Sequence, residues 1–250
     1  LAIPPYTPRL DFNAGWQGFL RFWAALDFEN YVFLTSDDLY WKAYLSSLRI
    51  AFISTTLTLL IGYPIAYGIA RANTEWRATL LMLVILPFWT SFLIRVYAWM
   101  GILGTEGLLN QLLLALGLIE TPLTLLNTNW AVYIGIVYTY LPFMILPIYA
   151  SLEKLDNSLL EAAIDLGCSR LRAFWLITMP LSKNGVVAGC FLVFIPALGE
   201  FVIPSLLGGS RTLMIGKVLW EEFCSHRDCP VASAVAISLL LILIIPIILF

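Results

Sequence analysis

Five long runs without a charged residue constrain this chain more than any other feature of its sequence. They cover residues 50–70, 78–94, 121–152, 184–199 and 229–250. A helix needs roughly 20 apolar residues to cross the hydrocarbon core of a bilayer. The strands of a closed barrel, the other way to cross, alternate apolar and polar residues, which these runs do not. The sequence therefore predicts five transmembrane helices, near residues 48–70, 78–100, 128–151, 184–207 and 230–250.

The composition indicates the same fold class. Apolar residues make up 60% of the chain and charged residues only 12%, whereas a soluble domain carries about 25% charged residues. The mean hydropathy is +0.88. We therefore predict an all-α, polytopic transmembrane helical bundle in which residues 1–250 form a single domain.

The sequence lacks the common motifs of catalysis and cofactor binding. Gly216-Lys217 is followed by Val218 and lacks the upstream glycine of a phosphate-binding loop. His226 is the single histidine, which excludes the two-histidine zinc motif of metalloproteases. A formal net charge of −2 gives no basic surface for nucleic acid. We predict no enzymatic activity, no metal or cofactor bound by this chain, and no nucleic-acid partner.

Both ends of the chain have the character of internal positions in a longer protein. The sequence starts at Leu1, shows no signal-peptide pattern, and stops at Phe250 inside an apolar run. Transmembrane helices usually end in polar or basic residues. We expect a further first helix to precede residue 1.

The positions of Lys and Arg predict which loops face the cytoplasm, because cytoplasmic loops carry an excess of them. The segments 71–77 and 153–183 hold six Lys and Arg residues, whereas 1–47, 104–126 and 208–230 hold the same number over a much greater combined length. We therefore predict that 153–183 is cytoplasmic and that 1–47 and 208–230 are periplasmic. The apolar segment Leu108–Ile119 is too short to span, so we expect a helix lying in the outer interface.

Two cysteines lie close together on the predicted outer side. Cys224 and Cys229 are compatible with a disulfide in an oxidising periplasm, although the short loop limits its geometry. A zinc site with His226 would lack a fourth ligand. The sequence leaves a disulfide and two free thiols open.

Residues 153–183 have the pattern of two short amphipathic helices joined by a turn. Ser158 and Glu161 fit a capping box at the start of the first helix. Gly167 suits the turn, because a left-handed backbone is cheap only without a β-carbon, and Pro180 is expected to end the second helix. The apolar positions at helical spacing are Leu159, Ala162, Ala163 and Leu166, then Leu171, Phe174, Trp175 and Ile177. Helices of this kind suit docking into a groove of another protein.

The same loop resembles the EAA signature of the permease subunits of bacterial ABC importers, the MetI-like family. Its fixed positions are Glu161, Ala162, Ala163, Gly167, Ile177 and Pro180, with Met179 where the family has leucine. Segments 88–99, 131–138, 199–204 and 228–236 are similar to the polyamine-importer permeases of that family.

The resemblance implies a six-helix permease in a bacterial inner membrane that works by alternating access. It implies that the six signature residues contact an ATP-hydrolysing subunit, present in two copies and using ATP and Mg²⁺. The other implied partners are a second homologous permease, a periplasmic polyamine-binding protein and membrane lipid. The implied cargo is a polyamine such as putrescine or spermidine.

Glu200 is a carboxylate inside a predicted span, between Pro196 and Pro204. Such a group costs at least about 2–3 kcal/mol unless it is paired or faces water. A polyamine would be held by a carboxylate together with aromatic rings, so the candidate pathway residues are Glu200, Trp89, Trp99, Tyr138 and Tyr140. A structural ion pair between Glu200 and Arg95, and an ordinary interfacial belt of aromatic residues, explain the same positions.

Two alternative functions remain open at this point. One is an ABC importer for another small solute. The other is a stand-alone secondary transporter with Glu200 as its ion site, although such a protein has no reason to carry an EAA loop.

The outer acidic residues Glu221, Glu222 and Asp228 are offset by Lys217 and Arg227, which favours a solvated loop.

Overall fold

The computed structural model describes residues 38–209, 212–226 and 229–248, together with Trp16 and Leu34. Every regular element in these ranges is a helix, so the predicted all-α fold is confirmed. The helices are α1 (Asp38–Arg71), α2 (Thr74–Ile85), α3 (Phe92–Leu103), α4 (Leu108–Ala115), α5 (Asn129–Glu153), α6 (Asn157–Asp165), α7 (Arg170–Leu181), α8 (Lys183–Leu198), α9 (Val202–Leu207), α10 (Ile215–Glu221) and α11 (Cys229–Ile248).

Within the described ranges, three stretches are long and apolar enough to cross a membrane by themselves. They are α1, α5 and the stretch Phe92–Ala115, which contains α3 and α4. The pair α7 and α8, bent by 64° at their junction, would make a fourth span. The predicted spans near 48–70 and 128–151 are thus single helices, although α1 begins earlier than expected, at Asp38. The last predicted span corresponds to α11, a helix of 20 residues.

The predicted span near 78–100 is wrong as a single helix. Helix α2 ends at Ile85, a 3₁₀ turn covers Leu86–Trp89, and Thr90 is extended (φ −93°, ψ 151°) before α3 begins. Pro87 lies in this turn and has no N–H to continue a helical ladder. The chain therefore changes direction where the apolar run predicted continuity.

The predicted span near 184–207 is also interrupted. Helix α8 ends at Leu198, Phe201 lies outside the helical region, and the short α9 follows. Pro196 lies inside α8 without ending it. The interruption comes at Gly199–Phe201. The first two backbone N–H groups of α9 donate to the Glu200 side chain.

Helices α1, α5 and α8 form the centre of the bundle through small residues. Met144 of α5 is fully buried between Gly62 of α1 and Gly189 of α8. A β-carbon at either glycine would lie 2.9 Å from the Met144 side chain. Small residues at such crossings let the helix backbones approach closely, which is how helices associate inside a bilayer.

The closest approach of α8 to α5 is at Gly185. A β-carbon there would overlap the Ser151 side chain and lie 2.5 Å from the Pro147 carbonyl oxygen. We expect Gly185→Ala to lower the melting temperature of the detergent-solubilised protein, because overpacking costs about 1–3 kcal/mol. Gly101→Ala in α3 is the control, since its β-carbon would meet no atom within 4 Å. A Gly185→Ala protein that melts with the wild type would contradict this packing.

The connection between α3 and α5 is held by one buried side chain. The Asn110 side-chain amide donates to the carbonyl oxygens of Gly104, Thr105 and Leu123, and its oxygen accepts from the Leu123 N–H. The short helix predicted over Leu108–Ile119 is present but ends at Ala115, because Gly117 turns the chain with φ +67°.

Candidate functional site

The first helix of the predicted coupling loop starts two positions earlier than the capping box suggested. Asp156 is the N-cap, and its carboxylate accepts from the Ser158 N–H at 3.0 Å. This bond holds the pKa of Asp156 below its ordinary value. The predicted capping box of Ser158 and Glu161 is therefore wrong. Glu161 lies in the second turn of α6, where a carboxylate cannot cap the helix.

The turn between α6 and α7 follows the prediction at Gly167, which has φ +85°. The Gly167 N–H donates to the Ile164 carbonyl oxygen and the Cys168 N–H to that of Ala163, both at 2.9 Å. This pair of bonds is the Schellman arrangement that closes a helix with a left-handed residue. Ser169 then caps α7 by accepting from the Arg172 N–H. The predicted helix–turn–helix is present.

Helix α7 is fixed to the membrane bundle by Phe174. Its ring makes edge contacts with Tyr63 (5.7 Å) and Tyr67 (5.6 Å) of α1. At the end of α7, the hydroxyl groups of Tyr63 and Ser182 lie 2.9 Å apart in a buried hydrogen bond. Pro180 does not end α7, which runs on to Leu181 before the 64° bend. Helix α7 thus contacts α1 directly and continues into α8 through the bend.

The two helices of this loop also carry an apolar surface that is largely exposed. We call it the docking surface and define it by five of the exposed large side chains of α6, its C-cap and α7. These are Leu159 (47%), Leu166 (88%), Leu171 (75%), Trp175 (63%) and Leu176 (69%). Exposed apolar patches of this kind mark contacts with a membrane or another protein.

Glu161 lies beside the docking surface and is exposed. With Ile164 it lines a cavity of about 330 Å³ between α6, α7 and the end of α1, to which Arg71 and Arg170 also contribute. The Arg71 guanidinium lies 5.5 Å from the Tyr67 ring centre, and its Nη2 has no hydrogen-bond partner among the described residues. A carboxylate is thus placed beside two guanidinium groups at the surface. Of the other signature residues, Ala162 and Pro180 are exposed, and Ala163 and Ile177 are half-buried.

A second site is an open cavity where the broken helices meet, with Phe143 and Pro196 exposed at its edge. We call it the central cavity; its volume is about 500 Å³. Its walls come from α3, α5 and the α8–α9 break. The lining residues are Phe88, Phe92, Arg95, Thr139, Tyr140, Phe143, Pro196, Gly199, Glu200, Phe201 and Val202.

Glu200 is 8% exposed and is held by three donors. The Tyr140 hydroxyl donates to Oε2 at 2.6 Å, and the N–H groups of Val202 and Ile203 donate to Oε1 at 3.0 and 3.4 Å. The carboxylate therefore supplies the acceptor for the start of α9, which explains why the helix breaks here. It keeps acceptor capacity toward the cavity, since a carboxylate has about four acceptor sites.

The predicted ion pair between Glu200 and Arg95 is absent. Both residues line the central cavity, yet the only ion pair within 4.0 Å among the described residues joins Lys42 and Asp38. The Arg95 guanidinium lies over the Phe88 ring at 5.0 Å and the Phe92 ring at 6.0 Å. Its Nε and Nη1 are buried without a hydrogen-bond acceptor in the described part of the chain.

The structure brings only part of the predicted pathway set together. Tyr140 and Glu200 share the central cavity, whereas Tyr138 and Trp99 contact each other at 5.4 Å beside a separate apolar cavity. Trp89 is 75% exposed at the end of the 3₁₀ turn. Trp220 stacks on Phe201 at 4.7 Å, next to Glu200.

Sequence reasoning missed several residues of both sites. Thr139 and Phe143 line the central cavity without a charge or motif to draw attention to them. Phe88 also lines it and lies in the segment 88–99 that resembles the family, but it was not named as a candidate. The sequence did contain a signal for Tyr63 and Tyr67, which contact Phe174. Residues four apart lie on the same face of a helix, so the spacing predicts that the two rings project together.

Cys224 on the outer side is exposed and is a free cysteine, so of the two alternatives the structure shows the free thiol. The side chains of Cys229 and His226 lie outside the described residues. The Tyr40 hydroxyl donates to Glu222 at 3.2 Å, which ties one member of the acidic group to α1. Asp228 also lies outside the described part.

The chain matches a known family over most of its length. The family described as "Binding-protein-dependent transport system inner membrane component" matches residues 58–250.

Curated relatives match over a similar range. The spermidine/putrescine transport system permease protein PotB of Haemophilus influenzae is 46% identical over 211 residues, covering 84% of this chain and 73% of that protein. The Escherichia coli protein of the same name is 46% identical over 215 residues, covering 86% and 78%. The E. coli inner membrane ABC transporter permease protein YdcU is 32% identical over 203 residues, covering 76% of this chain and 64% of that protein.

Solved structures share the fold. A bacterial ABC transporter involved in import of the acidic polysaccharide alginate superposes with a TM-score of 0.71 at 18% identity, covering 88% of this chain and 80% of that one. The same kind of transporter with an alginate pentasaccharide-bound periplasmic protein gives 0.70 at 18% identity, covering 90% and 81%. The chain therefore belongs to the family of binding-protein-dependent transport system inner membrane components, the membrane permeases of bacterial ABC transporters.

Proposed function

We propose that this chain is a transmembrane permease subunit of an ATP-driven polyamine importer in a bacterial inner membrane. The observation that carries the proposal is the docking surface, exposed on one side and joined to α1 and α8 on the other through Phe174 and Ser182. Relatives at 46% identity are named for spermidine and putrescine transport, which supports a polyamine as the cargo.

The energy comes from a partner subunit that binds ATP and Mg²⁺. Two copies of this ATPase would each receive one coupling loop, one from this chain and one from a second, homologous permease. Glu161 is exposed at the edge of an apolar surface, so it is placed to bind a basic or hydrogen-bonding group of the ATPase.

Closure of the ATPase pair would move α7, and the contacts of Phe174 would pass that movement to α1. Since α7 joins α8 through a single bend, the same movement reaches the Glu200 break at the far end of α8. Alternating access then follows from one rigid connection between the loop and the cavity.

The cargo would arrive from a periplasmic polyamine-binding protein and pass through the central cavity. The solved alginate transporter in complex with its loaded periplasmic protein supports this mode of delivery for the fold. Glu200 and the aromatic rings of Tyr140, Phe143 and Phe201 provide the charge and the π-faces that an alkylammonium group requires.

Stimulation of ATP hydrolysis tests this proposal. The complex of this chain, the second permease and the ATPase is reconstituted in lipid nanodiscs with the periplasmic binding protein. We expect spermidine or putrescine to stimulate hydrolysis, and an amino acid or an oligosaccharide to leave it at the basal rate. Stimulation by a solute without amino groups, and none by any polyamine, would contradict the proposed cargo.

A further inference from the structure

Arg95 is the one described side chain of the central cavity that bears a positive charge. A guanidinium inside a membrane protein is expensive, and it persists where it pairs, faces water or serves a function. Here the charge is stabilised by the rings of Phe88 and Phe92 rather than by a carboxylate. Its position therefore asks for a functional explanation.

The cavity keeps its two opposite charges apart. Glu200 is satisfied by Tyr140 and by the start of α9, while the Nε and Nη1 of Arg95 have no acceptor among the described residues. No ion pair joins Arg95 and Glu200 within 4.0 Å. Each charge is thus held by its own set of neighbours on a different wall, and neither cancels the other by contact.

A cationic ligand in this cavity experiences both groups. Its first ammonium is attracted to Glu200, and any positive charge on the Arg95 side is repelled. At an effective dielectric constant of about 20, two unit charges several ångströms apart interact strongly enough to change affinity by about tenfold or more.

We propose that Arg95 weakens polyamine binding in the central cavity and thereby speeds release of the cargo. This inference rests on the proposed polyamine import. An importer that takes its cargo from a high-affinity binding protein needs a membrane cavity that holds the cargo only weakly, because tight binding there would slow each cycle. A fixed guanidinium does this without closing the cavity.

The test measures binding and turnover in the same assembled complex. Equilibrium binding of radiolabelled spermidine is measured in nanodiscs without the periplasmic protein, and spermidine uptake is measured in proteoliposomes with it. We expect Arg95→Gln to bind spermidine about tenfold more tightly and to show a lower maximal uptake rate. Arg95→Lys keeps the charge and should bind spermidine as the wild type does, which a role in packing or hydrogen bonding would not predict.

Arg95→His gives both charge states in one folded protein. Spermidine stays cationic between pH 5.5 and 8, whereas a histidine side chain with an unperturbed pKa loses its charge near pH 6.5. After correction for the wild-type pH profile, Arg95→His should bind spermidine more tightly at the higher pH.

Each other outcome counts against the inference. Equal or weaker spermidine binding by Arg95→Gln, or a His variant whose corrected affinity does not change with pH, would overturn it. Failure of both variants to assemble would place Arg95 in the fold and would also overturn it. A wild-type complex that neither binds spermidine nor responds to any polyamine would instead refute the proposed cargo.

Discussion

Glu161→Lys is expected to abolish uptake while leaving the protein in the membrane. Glu161 is exposed and does not cap α6, so the change removes no bond that holds the helix. It does reverse the charge at the edge of the docking surface. Like charges brought together at an interface cost several kcal/mol, and each 1.4 kcal/mol is tenfold, so we expect uptake to fall at least about 100-fold.

Asp165→Lys is the matched control for this change. It makes the same charge reversal on the same helix, one turn further on, at an exposed position that does not line the Glu161 cavity. Uptake and copurification of the ATPase are measured for both variants, with the amount in the membrane as reference. Wild-type uptake by Glu161→Lys, or equal loss in both variants, would refute the docking role of Glu161.

Glu200→Gln is expected to reduce uptake about tenfold or more, because it removes the negative charge of the central cavity. The amide oxygen can still accept from the N–H groups that begin α9, and the amide can bond the Tyr140 hydroxyl. The break between α8 and α9 should therefore survive. Glu200→Gln should also bind spermidine more weakly, whereas Arg95→Gln should bind it more tightly. Spermidine binding by the two variants together therefore tests the charge balance of one cavity.

Glu221→Gln is the control, since it removes a carboxylate from an exposed position outside the central cavity. Uptake kinetics and the melting temperature of the complex separate transport from folding. Unchanged uptake by Glu200→Gln would leave Glu200 as a structural acceptor for α9 alone. A large fall in the melting temperature with a parallel loss of uptake would also assign Glu200 a structural role only.

The parts of the fold that depend on uninterrupted apolar length were predictable from the sequence. Helix α5 covers Asn129–Glu153 where the prediction was 128–151, and it holds Pro142 and Pro147 without a break. The coupling loop was also predictable, because its capping and turn residues act over a few neighbouring positions. The cap was misplaced by two residues, since Asp156 and Ser158 are both good caps. The predicted end at Pro180 was also wrong, since α7 continues to Leu181.

The breaks and the cavity could not be read from the sequence. Pro87 coincides with a break, whereas Pro142, Pro147 and Pro196 remain inside helices. The outcome depends on what packs against the freed carbonyl groups, which is a property of the folded bundle. The bond from Tyr140 to Glu200 joins residues 60 positions apart, and no local pattern specifies such a pair.

Uptake into proteoliposomes tests the central claim most directly. Vesicles containing this chain, the second permease and the ATPase are loaded with ATP and Mg²⁺ and given spermidine-loaded binding protein outside. The account predicts that spermidine accumulates, and that omitting ATP, the ATPase or the binding protein stops it. Accumulation driven by a proton or sodium gradient in vesicles without the ATPase would contradict it and would make the chain a secondary transporter.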